Sequence, residues 1–153
     1  MNAKKISIIA IVLWAGLILG LGIQFVKGNA KKAEDGRAAV TVTESERVMI
    51  LGEMRQLLQA VQGIVDGIEK NDTKAIVESA LGGGTKMMID DSASLMLKLP
   101  LAFKEQGIGA HKYFDKIAEE AKKGASREKT LSMLNTQLQR CVSCHAGYQF
   151  STK

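Results

Sequence analysis

"RCVSCHAGYQF", residues 140–150, holds both cysteines of the 153-residue chain and one of its two histidines. Cys141, Cys144 and His145 form C-x-x-C-H. On a helix, residues three apart share a face, and the next residue lies close beside them. Two thiols so placed can add across the two vinyl groups of a haem, and the adjacent imidazole can then reach the iron. The spacing therefore predicts covalent attachment of one haem c through Cys141 and Cys144, with His145 as the proximal iron ligand. The rival chemistries fit less well. A C-x-x-C redox pair usually sits at a helix N-terminus near a βαβ unit, where the dipole lowers a thiol pKa. Here the pair falls at the far end of the last helical stretch. Zinc would want four ligands, and His111 is the only other histidine. A disulfide between helical residues three apart has poor geometry.

Working back along the chain, four helical stretches precede or contain this motif. Thr43 with Glu46 three residues on is a capping-box pattern. Ile50, Leu51, Met54, Leu57, Leu58, Val61, Ile64, Val65 and Ile68 follow at helical spacing, which predicts a long amphipathic helix ending near Asn71 and Asp72. A second helix begins near Thr73 and is interrupted by Gly82, Gly83 and Gly84, since each glycine costs a helix about 1 kcal/mol against alanine. Those glycines lack the preceding strand and the Lys-Ser/Thr pair of a phosphate loop. "KMMIDDSASLMLKLP", residues 86–100, has helical character and stops at Pro100; Asp90 and Asp91 within it read as a solvated turn. A third helix starts at Leu101 and stops at Gly124, past the solvated end at Lys122 and Lys123. The fourth starts near Ser126 and carries Leu131, Leu134, Leu138 and Val142 into the cysteine stretch. No strand pattern stands out. The expectation is an all-α fold, an antiparallel four-helix bundle over residues 44–153.

The other end of the chain is different. Residues 1–5, "MNAKK", precede 21 residues without charge, Ile6 to Val26. At ~1.5 Å per residue this run spans a hydrocarbon core of about 30 Å. It exceeds the roughly 7–15 residues of a cleavable signal, and "GNA" at 28–30 is a weak cleavage site. An uncleaved transmembrane anchor over residues 6–26 is expected, with Lys4 and Lys5 cytoplasmic. The remainder then faces the periplasm of a bacterial inner membrane, the side on which c-type haem is attached. Residues 27–43 read as a linker. From Lys27 onward 19 basic and 16 acidic residues leave a mild, interspersed +3. There is no basic stripe interleaved with aromatics, so nucleic acid is not an expected partner.

The motif near the C-terminal end of a helical bundle resembles cytochrome c′ and its low-spin, Met-ligated relatives. The resemblance covers about residues 44–153. "CVSCHAGY" matches the family's C-x-x-C-H-x-x-Y through Tyr148. "RVMILGEM" matches the start of its first helix, with Arg47 at the family's arginine, and "AFKEQG" and the Gly124 turn suit its third helix. The resemblance implies that His145 is proximal and that the first helix supplies the distal face. The family's distal residue, four positions after the arginine, is Leu51 here. An apolar residue there blocks the sixth site in five-coordinate members, whereas a methionine ligates the iron in the low-spin relatives. Gln149 stands where the family often has a basic residue, with Arg140 close by. The family commonly dimerises through its first two helices, so a homodimer is implied.

The sixth position stays open on the sequence. Met54 or His111, and also Met49, are candidate ligands; a core methionine and an ordinary surface or core histidine are the plainer readings. Three functions follow. A membrane-anchored cytochrome could transfer electrons to redox partner proteins, a five-coordinate iron beneath Leu51 could bind nitric oxide or another diatomic gas, or haem could mainly stabilise a small fold. No Ser/His/Asp set and no singled-out carboxylate points to an enzyme.

Overall fold

The computed structural model describes residues 3–88 and 93–152. These are mostly helical, with six α-helices and one three-stranded sheet among the described residues. The order is α1 (Ala3–Lys27), β1 (Ala30–Lys32), β2 (Ala38–Val42), α2 (Glu44–Lys70), α3 (Thr73–Gly82), α4 (Ala93–Lys98), α5 (Leu101–Lys122), α6 (Arg127–Gly147) and β3 (Tyr148–Thr152). A short 3-10 turn covers Thr85–Met87. Asp90 and Asp91, read as a solvated turn, lie outside the described residues, as do Met1 and Asn2.

Local chemistry sets most helix ends. The backbone N–H of Glu46 donates to Thr43 Oγ1 at 3.2 Å, and the N–H of Thr43 donates to Glu46 Oε2 at 2.7 Å. This reciprocal box satisfies two donors that the first turn of α2 leaves orphaned. Asn71 ends α2 in the left-handed region at φ 53°, and Asp72 caps α3. The glycine run ends α3, Pro100 precedes α5, and Ser126 caps α6.

Helix α2 packs on α3, α3 on α5, α5 on α6, and α6 back against α2. Phe114, Ile64, Ile117 and Leu134 are fully buried where these faces meet. Each such side chain contributes about 1.5–3 kcal/mol relative to exposure.

The fold is mostly helical, as expected, but it adds a small sheet that no strand pattern had signalled, and two of its strands fall within residues 27–43, read as a linker. β1 pairs antiparallel with β2, Ala30 opposite Val40. β2 pairs in parallel with β3, Ala38 opposite Tyr148 and Val42 opposite Thr152. The physical reason lies in burial and in pairing at long range. Val40 and Val42 alternate with Ala39 and Thr41, and both valines are buried against Ile50, Leu95, Leu99 and Phe103. Their strand neighbours lie 110 residues away, as for Thr41 and Ser151. Phe103 meets Tyr148 and Phe150 edge-on, with ring centroids at 5.2 and 5.4 Å. Such pairs add about 0.5–1.5 kcal/mol beyond area.

Helix α1, over Lys4–Lys27, is long and apolar enough to cross a membrane, with a mean hydropathy of 2.6 in its most apolar 18-residue window. Its apolar side chains are exposed. Its last turn, by contrast, is fixed to the domain. Gln24 Nε2 donates to Leu97 O at 3.1 Å, and the Asn29 N–H donates to Lys98 O at 2.7 Å. Lys104 is buried, donates to Phe25 O at 2.8 Å and Met96 O at 3.1 Å, and places its ammonium 3.4 Å from the Phe25 ring centroid. Burial pushes the Lys104 pKa down. Gly28 sits at φ +60°, and a Cβ there would lie 2.3 Å from Lys98 O.

Candidate functional site

Two helices and a strand bring the sequence motif to one place. The end of α6 carries Cys144 and His145, and β3 follows at once with Tyr148, Gln149 and Phe150. Opposite them, α2 presents Arg47, Leu51 and Met54, which recur at three- and four-residue spacing along one face. Phe103 of α5 and Arg37, just before β2, complete a cavity of about 220 Å³. Leu51, Met54, Cys144 and His145 thus line one space, although nearly a hundred residues separate the two pairs (Leu51 to His145). Cys141 lies one turn back along α6 and is half-buried, as is Cys144; neither is in a disulfide.

Burial raises the pKa of both thiols, and for Cys144 the neighbouring Cys141 adds to the rise. A redox-active thiol pair needs the opposite shift. The electrostatics here therefore disfavour a dithiol redox site.

His111, the other candidate ligand, lies elsewhere. It is buried on α5, with Nδ1 2.8 Å from Gly83 O. It lines a second cavity that shares Met54 and Phe103 with the first but contains neither Cys144 nor His145. The structure therefore brings Met54, not His111, alongside the motif. Met49 is half-buried against the sheet-side core and lines neither cavity. Arg140 turns away from the motif and stacks over Tyr113, 4.8 Å from its centroid.

Two residues escaped sequence reasoning. Arg37 pairs with Asp35 at 2.7 Å and donates from Nη2 to Gln149 Oε1 at 3.0 Å. Its Nη1 approaches the carbonyl oxygens of His145 and Tyr148 at 3.4 and 3.5 Å. It thus puts a cation beside Gln149, where the motif itself has none. The β-branched alternation of "AAVTV" could have signalled that its neighbourhood was ordered. The second is Gln137, fully buried on α6, with neither amide atom hydrogen-bonded. It precedes Cys144 by seven residues, two helical turns, and so lies on the same face. No local pattern marks it.

The donor set fits a covalently held haem. Two thiols three apart share a helix face and an imidazole lines the cavity. The walls are apolar at Leu51, Met54, Phe103 and Phe150, and Arg47 and Arg37 offer cations to carboxylates. Among the described residues Arg47 pairs with Glu44 alone, at 3.7 Å, and its side chain stays 41% exposed. Compared with protein-family models, curated proteins and solved structures, the chain matches none.

Proposed function

We propose that the chain is a membrane-anchored monohaem c-type cytochrome that transfers electrons on the periplasmic side of a bacterial inner membrane. Its haem domain is an antiparallel bundle of α2, α3, α5 and α6, of the cytochrome c′ kind. The observation that carries this reading is the convergence of Cys144 and His145 with Leu51 and Met54 on one cavity. The closed sequence of helix neighbours, α2 to α3 to α5 to α6 and back, supports the bundle. The built junction after α1 supports a retained anchor, because a cleaved leader has no use for four specific contacts with the mature domain.

When bound, the haem supplies an iron that cycles between ferric and ferrous. The chain does the rest. Cys141 and Cys144 would tether the macrocycle, and His145 would ligate the iron. Leu51, Phe103 and Phe150 would shield it from water, which would keep charge reorganisation small. Arg47 and Arg37 would offset the negative charge of the propionates. Met54, one turn beyond Leu51 on the same cavity, would be the candidate for a second protein ligand.

A second reading rests on Leu51 itself. An apolar lid over a five-coordinate iron would admit only small neutral ligands such as nitric oxide. The visible absorption spectrum of the ferrous protein, with and without carbon monoxide, separates the two. A sharp split band indifferent to the gas supports a six-coordinate electron carrier. A broad band that sharpens with the gas supports the open site. Absence of covalently bound haem from protein matured in a c-type cytochrome-competent host sinks both.

A further inference from the structure

The second cavity, about 80 Å³, lies between α2, α4 and α5. That is several times the ~10–15 Å³ one water needs. Its walls are mostly apolar, with Ile50 and Met54 from α2, Leu95 and Met96 from α4, and Phe103 and Ile108 from α5, and the half-buried Glu53 of α2 also lines it. Two buried polar groups face it. One is His111, 8% exposed, whose Nδ1 lies against the Gly83 carbonyl. A carbonyl only accepts, so in the neutral ring Nδ1 carries the proton and Nε2 keeps a free lone pair. Among the described residues, Nε2 has no hydrogen-bond partner. The other is Lys104, the residue that grips Phe25 in the last turn of α1. One wall of the cavity is therefore also the clamp on the helix that is apolar enough to cross a membrane.

We propose that this cavity binds the ring of a membrane-borne quinone. The ligand must be flat and apolar, and it must carry a hydrogen-bonding oxygen for Nε2. It must also be able to arrive from the bilayer, where α1 ends. An acyl chain would leave Nε2 unpaired, and a polar metabolite would gain nothing from the walls. A quinone head on an isoprenoid tail meets all three conditions. The hydroxyl of its reduced form donates to His111 Nε2, and the tail stays in lipid. The inference deepens the electron-transfer reading and rests on it for its purpose, although binding itself requires only the cavity and α1.

The test uses the full chain in lipid nanodiscs, with decylubiquinone and menadione as probes in both redox forms. A photoactivatable azidoquinone maps the contact by mass spectrometry. The expected result is saturable binding with label in residues 93–108. Gly107→Leu fills the cavity from a position where an added Cβ meets nothing within 4 Å. It should weaken binding at least tenfold without lowering the melting temperature. His111→Leu removes the acceptor at similar volume and should weaken the reduced form several-fold more than the oxidised form. Non-saturable partitioning, label confined to α1, or equal affinity in wild type and a folded Gly107→Leu variant overturns the proposal. If Gly107→Leu does not fold, an equal effect of His111→Leu on both redox forms overturns it instead. A haem stain on the same sample keeps the two readings apart. Haem present without saturable quinone binding sinks the quinone site alone, whereas quinone bound to protein that never acquires haem sinks the cytochrome reading alone.

Discussion

Gly28→Ala should undock α1 from the helical domain that follows it, and Gly36→Ala should not. Both glycines have positive φ, +60° and +89°, so both substitutions incur the left-handed cost of roughly 1–2 kcal/mol. They differ in what the new methyl meets. At Gly36 there is open space, whereas at Gly28 the Cβ would fall 2.3 Å from Lys98 O, 2.6 Å from Pro100 N and 2.7 Å from Leu99 C. Those are backbone atoms and cannot swing aside, so the junction must separate. Separation breaks the bonds from Gln24 to Leu97 O, Asn29 to Lys98 O and Lys104 to Phe25 O. At about 0.5–1.5 kcal/mol each, the three bonds add about 1.5–4.5 kcal/mol. That corresponds to a rise in junction opening of roughly 10- to 2,000-fold over Gly36→Ala. Hydrogen exchange of the peptide containing Asn29, measured in nanodiscs, reads this opening locally. Equal exchange in the two variants would refute the close-approach argument and, with it, the fixed attachment of α1.

Other outcomes follow from the same geometry. Cys141→Ser with Cys144→Ser should abolish covalent haem while leaving α1 and the Phe114 core in place, as judged by a haem stain and by circular dichroism. Glu46 and Lys98 form a pair at 2.7 Å with side chains 13% and 21% exposed. The Lys98 ammonium, then the Thr43 N–H, holds the Glu46 carboxyl below its usual 4.5. Because the folded pKa is depressed, this stabilisation is present above pH 4.5 and is lost as pH falls through the folded value. Acid unfolding of Glu46→Gln should be shallower across that window, since glutamine keeps the capping bond but not the charge. Phe114→Ala should cost about 3–5 kcal/mol in a denaturant titration, as expected for an aromatic with no exposed surface at the centre of the helical core.

Most helix ends are legible because they are written in single residues. Thr43 with Glu46, the glycines at 82–84, Pro100 and Gly124 each act on the backbone beside them, and each marks a boundary in the structure. The motif at 141–145 is equally local. The sheet is not local. β1 has three residues and a polar edge, and β2 earns its strand only by pairing with a segment 110 residues on. The site is half legible for the same reason. Leu51 is a candidate through the family resemblance and Met54 through its place near Leu51 on the same helix, but their position opposite His145 depends on how α2 meets α6. Arg37 reaches that space only because β2 lies beside β3, and no pattern near Arg37 in the sequence encodes such a partner. Gln137 is hidden by its chemistry, since an amide in a helical stretch reads as surface.

The parallel pairing of β2 with β3 also sets a timetable. β3 follows every helix among the described residues, so one edge of β2 has no partner until α2 through α6 have been made. A contact of such long sequence separation closes late in folding. Until then the segment after Gly147 has nothing to zip onto, and Tyr148 and Phe150 cannot cover Phe103. The C-terminal turn of α6 therefore passes through a period in which both thiols are accessible on an already helical strip. Any chemistry done to Cys141 and Cys144 has its window there, before the strand closes over the site like a latch.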